Sequence, residues 1–114
     1  MQRFEYRVAR FSVDIPVQFT ERDIALAGRC TEISKEGLKV SLGEPLRSNS
    51  CGNLIINFQG RALEFRVRVA HVGAGYCGLE FIYASEAEQN ALAHLVESLA
   101  VPQARSGPVL LKNS

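Results

Sequence analysis

From Phe11 to Phe19 the chain alternates without interruption. Phe11, Val13, Ile15, Val17 and Phe19 fall on one side; Ser12, Asp14, Pro16 and Gln18 fall on the other. A period of two places successive side chains on opposite faces of an extended chain, so this stretch predicts a strand with one buried face. Pro16 has no amide hydrogen to give a ladder, which places it at a sheet edge or at an irregularity.

The same period returns five more times. Ile24, Leu26, Gly28 and Cys30 share a face, then Leu38, Val40 and Leu42, then Leu54, Ile56 and Phe58. The longest run sets Leu63, Phe65, Val67, Val69 and His71 inward against Glu64, Arg66 and Arg68, and Gly73-Ala74-Gly75 turns it back into Tyr76 to Ile82, with Leu79 and Phe81 inward. Residues 43–52, with Pro45, Ser48, Asn49 and Ser50, read as a loop.

At Ser85 the period changes. Ser85-Glu86-Ala87-Glu88 fits a capping box, and Leu92, Leu95, Val96 and Leu99 form a helical stripe that Pro102 ends. Six strands with one apolar face each bury it best by closing around a common core, and a helix can plug an open end. The expectation is an all-β domain over residues 1–100, a six-stranded antiparallel barrel with a basic N-terminal arm and a C-terminal helix. Residues 101–114 are expected to form a flexible tail, in which Val109-Leu110-Leu111 is an apolar docking candidate.

A length of 114 residues suits one domain, and 46% hydrophobic with 22% charged residues argues against a disordered chain. No apolar run approaches the roughly 20 residues of a membrane span, and the N-terminus has no signal core, so a cytoplasmic protein is expected. Three widely spaced cysteines, Cys30, Cys51 and Cys77, suit neither a disulfide framework nor a zinc site; Cys30 and Cys77 are read as small buried hydrophobes. His71 and His94 have no partners at triad or metal spacing, and no glycine-rich phosphate loop opens a helix. No enzyme, no metal and no cofactor is expected, with one histidine at the surface and one half-buried.

Binding chemistry is better represented. The net charge of +1 hides a local cluster, Arg3, Arg7 and Arg10. The planar guanidinium fork grips a phosphate or the O6/N7 edge of guanine with two hydrogen bonds. The turn Glu32-Ile33-Ser34-Lys35-Glu36-Gly37 adds a carboxylate able to accept from guanine N1 and N2, a hydroxyl that donates to a phosphate or holds the turn, and a glycine suited to positive φ. Arm and turn together predict an anion-binding site. A nucleic-acid polymer is not expected, because Arg66 and Arg68 share their face with Glu64 and with no aromatic.

Arm and turn in this order resemble the PilZ domain family, which pairs an N-terminal R-x-x-x-R with a downstream D/N-x-S-x-x-G on a six-stranded barrel with a C-terminal helix. Residues 9–17 look like the family's first strand, and Gly78-Leu79-Glu80-Phe81 resembles its last. R-x-x-x-R occurs literally as Arg3 to Arg7. Anchoring on Val13-Asp14-Ile15-Pro16-Val17 instead gives Arg10 the second position and Tyr6 the first, while Glu32 occupies the Asp/Asn position. The resemblance implies a receptor for cyclic di-GMP, a bacterial second messenger with two phosphates and two guanines. Arg3, Arg7 and Arg10 would engage phosphates and guanine edges, and Glu32, Ser34 and Gly37 would hold a guanine. The ligand would order the arm and relay its presence to a protein partner. A second reading is a PilZ-like adaptor that binds a protein partner without nucleotide.

Overall fold

The structure is a computed structural model that describes residues 9–100; Arg3, Tyr6 and Arg7 of the arm and the expected tail over 101–114 lie outside the described residues. Six strands and one helix follow in chain order: β1 Phe11–Glu21, β2 Ile24–Ile33, β3 Gly37–Leu42, β4 Cys51–Phe58, β5 Arg61–Gly73, β6 Tyr76–Ile82 and α1 Glu86–Ala100. Every pairing is antiparallel, and the strands close into a barrel in the order β1-β2-β3-β6-β5-β4. Two three-stranded meanders are thus joined along two seams, β3–β6 and β4–β1. The first of these seams brings the turn before β3 against the last strand.

The hairpins follow from their turn residues. Gln59 and Gly60 both adopt positive φ, 52° and 77°, between the paired residues Phe58 and Arg61. That two-residue geometry matches the right-handed twist of the flanking strands. Pro16 lies one residue beyond the last β1–β4 pair, Val17↔Ile56, and next to a register shift between Ser12 and Ile15. The missing donor therefore falls where β1 has parted from β4.

The inward alternation forms the core: Ile15, Val17, Phe19, Cys30, Val40, Leu54, Ile56, Phe65, Val67, Val69, Leu79 and Phe81 are buried. Helix α1 adds Leu92, Leu95 and Val96 to the same cluster, with Leu99 partly buried against it. Its start is capped on both sides. The Glu88 amide donates to Ser85 Oγ at 3.2 Å, and the Glu88 carboxylate accepts from the Ala84 amide at 2.9 Å, one residue earlier than a capping box requires.

The long β5 departs from the expected pattern at one end. His71 is exposed, not inward, because a bulge between Val69 and His71 inserts Ala70 and reverses the phase. His94 is exposed as well, so neither histidine is half-buried.

Cys30 and Cys77 are buried and Cys51 is partly exposed. Burial pushes the Cys30 thiol up to about 12, and its Sγ donates to the Glu32 carbonyl at 3.2 Å. Thiolates, not thiols, react with alkylating agents. Iodoacetamide at pH 8 is therefore expected to modify Cys51 in the native protein and to reach Cys30 and Cys77 only after denaturation, as mapped by peptide mass. Equal labelling of all three in the native state would contradict this packing.

Candidate ligand cleft at the Glu32–Gly37 turn

Two bulges build the floor of the site. The inward residues Cys30 and Ile33 are three apart, not two, because Thr31 is an extra residue between the pairs Cys30↔Val40 and Glu32↔Lys39. Strict alternation would send Glu32 into the core with Cys30; the bulge turns it outward. Ala70 does the same for His71 on β5. The two shifts leave an outward row running across four adjacent strands, Glu32↔Lys39↔Gly78↔His71. Bulges re-aim side chains in this way at many functional sites.

Beside the row, the turn before β3 is held by its serine. The Ser34 amide donates to the Gly37 carbonyl at 2.9 Å. Ser34 Oγ donates to that same carbonyl at 3.3 Å and accepts from the amides of Glu36 and Gly37 at 3.2 and 3.3 Å. Ser34, only 8% exposed, holds the turn, the second of the two roles open to it from the sequence. Tyr83, just after β6, ties the turn from outside: its hydroxyl donates to the Lys35 carbonyl at 2.5 Å, and the Phe81 amide donates to the Glu36 carbonyl at 3.0 Å. Burial, with Glu36 and Glu88 nearby, pushes the Tyr83 phenol up to about 12, so it stays a donor throughout the physiological range.

Gly37 departs from the sequence-based expectation. Positive φ among the glycines occurs at Gly60 and Gly75, not at Gly37. Its necessity is spatial: a Cβ there would stand 2.2 Å from the Leu79 carbonyl oxygen on β6. The glycine permits close approach of two strands, not a left-handed turn.

Row and turn enclose a cleft of about 1150 Å³, lined by Arg10, Glu32, Ser34 and Gly37 together with Lys39, His71, Tyr76, Gly78 and Glu80. The structure therefore brings together four of the six residues singled out from the sequence; Arg3 and Arg7 lie outside the described residues. Arg10 Nη1 stands 3.8 Å from Glu32 Oε1, with the side chains 75% and 36% exposed. Exposed pairs of this kind contribute about 0–1 kcal/mol, so a ligand competes with little for either group. Arg68, by contrast, is committed: its guanidinium bonds Glu80 and, at 2.8 Å, Asn49 Oδ1.

Lys39, His71, Tyr76 and Gly78 were missed from the sequence, and a signal was there for His71 alone, as it was for the outward turn of Glu32. Cys30…Ile33 and Val69…Val72 each break the two-residue period by one, which is how a bulge appears in a sequence. Tyr76 had no such signal. Its ring lies against Gly73, where a Cβ would come within 2.5 Å, and that contact exists only once β5 and β6 pair. Among the described residues, no cluster of His, Cys, Asp and Glu is arranged to hold a metal ion, and no helix is long and apolar enough to cross a membrane.

The model of the PilZ domain family matches residues 1–98. No curated protein sequence matches the chain. Among solved structures, the PilZ domain of YcgR from Escherichia coli with c-di-GMP superposes with a TM-score of 0.74 at 16% identity, covering 90% of this chain and 98% of that one. The PilZ domain of CeSA from a cellulose-synthesizing bacterium gives 0.69 at 20% identity, covering 81% and 98%. The inhibitor of motility of Bacillus subtilis gives 0.68 at 22% identity, covering 90% of this chain but 54% of that one. The chain spans about half of that inhibitor's length. At these identities the structural likeness is one of fold.

Proposed function

The chain belongs to the PilZ domain family, and on that premise we propose that it is a receptor for cyclic di-GMP, which binds in the cleft between Arg10 and the Glu32–Gly37 turn. One observation carries the reading: the end of the arm and the turn, 22 positions apart in the sequence from Arg10 to Glu32, meet at 3.8 Å on the rim of a cleft large enough for a nucleotide. A structural neighbour, the PilZ domain of YcgR, carries c-di-GMP on the same fold.

In this reading Arg7 and Arg10 engage phosphates and guanine edges, with Arg3 as a further contact, and Glu32 accepts from a guanine. Ser34 and Gly37 act by shaping the turn. Ligand orders the arm against the barrel and changes the surface offered to a protein partner. Titration calorimetry with cyclic di-GMP is expected to give saturable heat, and Arg10→Ala to weaken binding by about tenfold, the loss of one charge-assisted contact. Absence of heat from the unsubstituted protein at ligand on the order of tens of micromolar would overturn the proposal.

A second reading, an adaptor that binds a protein partner without nucleotide, is favoured by the internal use of the site's polar groups. Glu32 faces Arg10, and the Ser34 hydroxyl is spent inside the turn. A partner bound equally well with and without cyclic di-GMP would support it.

A further inference from the structure

Lys39 occupies the middle of the outward row, with Glu32 opposite it on β2 and Gly78 opposite it on β6. Its ammonium nonetheless forms no ion pair among the described residues; Glu32 is met by Arg10. Nζ lies instead 4.8 Å from the centre of the Tyr76 ring. That ring is held from two directions, by its packing on Gly73 and by the Tyr76 hydroxyl, 3.3 Å from His71 Nε2. Gly78, next in the row, has no side chain. A Cβ built there meets only His71, at 3.4 Å from its Cβ and 4.0 Å from its carbonyl oxygen. Between Lys39 and His71 the floor is therefore open.

We propose that Lys39 is an anion contact of this cleft, and that a phosphate of the ligand seats over Gly78 within its reach. The inference rests on the cyclic di-GMP reading and adds to it a cation from the barrel wall, independent of the arm. A cation on an exposed aromatic face is held more weakly than one in a charge-assisted hydrogen bond to phosphate, so the exchange runs toward the ligand. The lysine stem is long and its three donors rotate, so the ammonium moves from ring to phosphate with no change in the backbone. Glu32 and Glu80 border the same cleft, but each is met by an arginine, Arg10 and Arg68, which leaves Lys39 over the Gly78 floor as the cation without a carboxylate partner among the described residues.

The test is calorimetric titration of cyclic di-GMP into the full chain and into Lys39→Met, Lys39→Arg and Gly78→Val, each at low and high salt, with urea midpoints to verify folding. Lys39→Met is expected to weaken binding by about tenfold and to flatten its salt dependence, because one screened charge contact is lost. Lys39→Arg should retain most of the affinity and the salt slope. Gly78→Val, which fills the floor, should weaken binding without flattening the slope. If the unsubstituted chain binds and Lys39→Met matches it in affinity and salt slope, this inference fails while the receptor reading stands. If the unsubstituted chain does not bind, the receptor reading fails and takes the inference with it. If Gly78→Val does not fold, the two Lys39 variants decide the matter alone.

Discussion

Replacing Gly37 with alanine is expected to destabilise the domain by about 3 kcal/mol, the upper end of what overpacking costs, read as a lower urea midpoint at unchanged slope. The added Cβ would meet the Leu79 carbonyl oxygen at 2.2 Å. Both atoms belong to backbone or to the atom nearest it, so no side-chain rotation relieves the overlap. The β3–β6 seam has to open, and that seam rests on pairs running only from Gly37↔Glu80 to Val40↔Cys77. Opening it also loosens the Phe81 amide from the Glu36 carbonyl and so the cleft's turn. Gly43, just past the other end of β3, is the matched control. A Cβ there meets nothing within 4 Å, and its φ is not in the left-handed range, so Gly43→Ala should stay within about 0.5 kcal/mol. Equal midpoints for the two variants would show that the seam tolerates a side chain, and the account of Gly37 would be wrong.

Leu92→Ala is the second large expected effect, about 3 kcal/mol from lost burial and the cavity left behind. Leu92 is fully buried, and with Leu95 and Val96 it belongs to the same cluster as Phe19, Leu54 and Ile56 of the barrel. The helix therefore completes the core. His94, exposed two positions later on α1, serves as the comparison: His94→Ala should change the midpoint by less than about 0.5 kcal/mol. A loss below about 1 kcal/mol for Leu92→Ala would instead describe a helix resting on a core that is complete without it.

Much of the fold was legible because the rules behind it are local. Alternation from Phe11 to Phe19 is a property of neighbouring residues, and so are the turn signal at Gly73-Ala74-Gly75 and the caps at Ser85 and Glu88. The errors share one cause. A period of two carried through Val69 makes His71 inward, but the strand takes Ala70 as an extra residue there, marked in the sequence only by the three-residue step from Val69 to Val72. Gly37 was assigned a left-handed turn because that is the commonest reason for glycine after a serine turn; the carbonyl that forbids a side chain belongs to Leu79, 42 positions later in the sequence.

Taken alone, the sequence determined the number and order of the strands, their buried faces, and the helix with its apolar stripe. These depend on periodicity and on residue chemistry within a few positions. Only the tertiary structure decided that β3 lies beside β6, that bulges at Thr31 and Ala70 turn Glu32 and His71 outward into one row with Lys39 and Gly78, and that Tyr76 folds over Gly73 beside that row. The physical reason is that closing a barrel brings together strands distant in the chain, and the registers it then requires shift which residues face out.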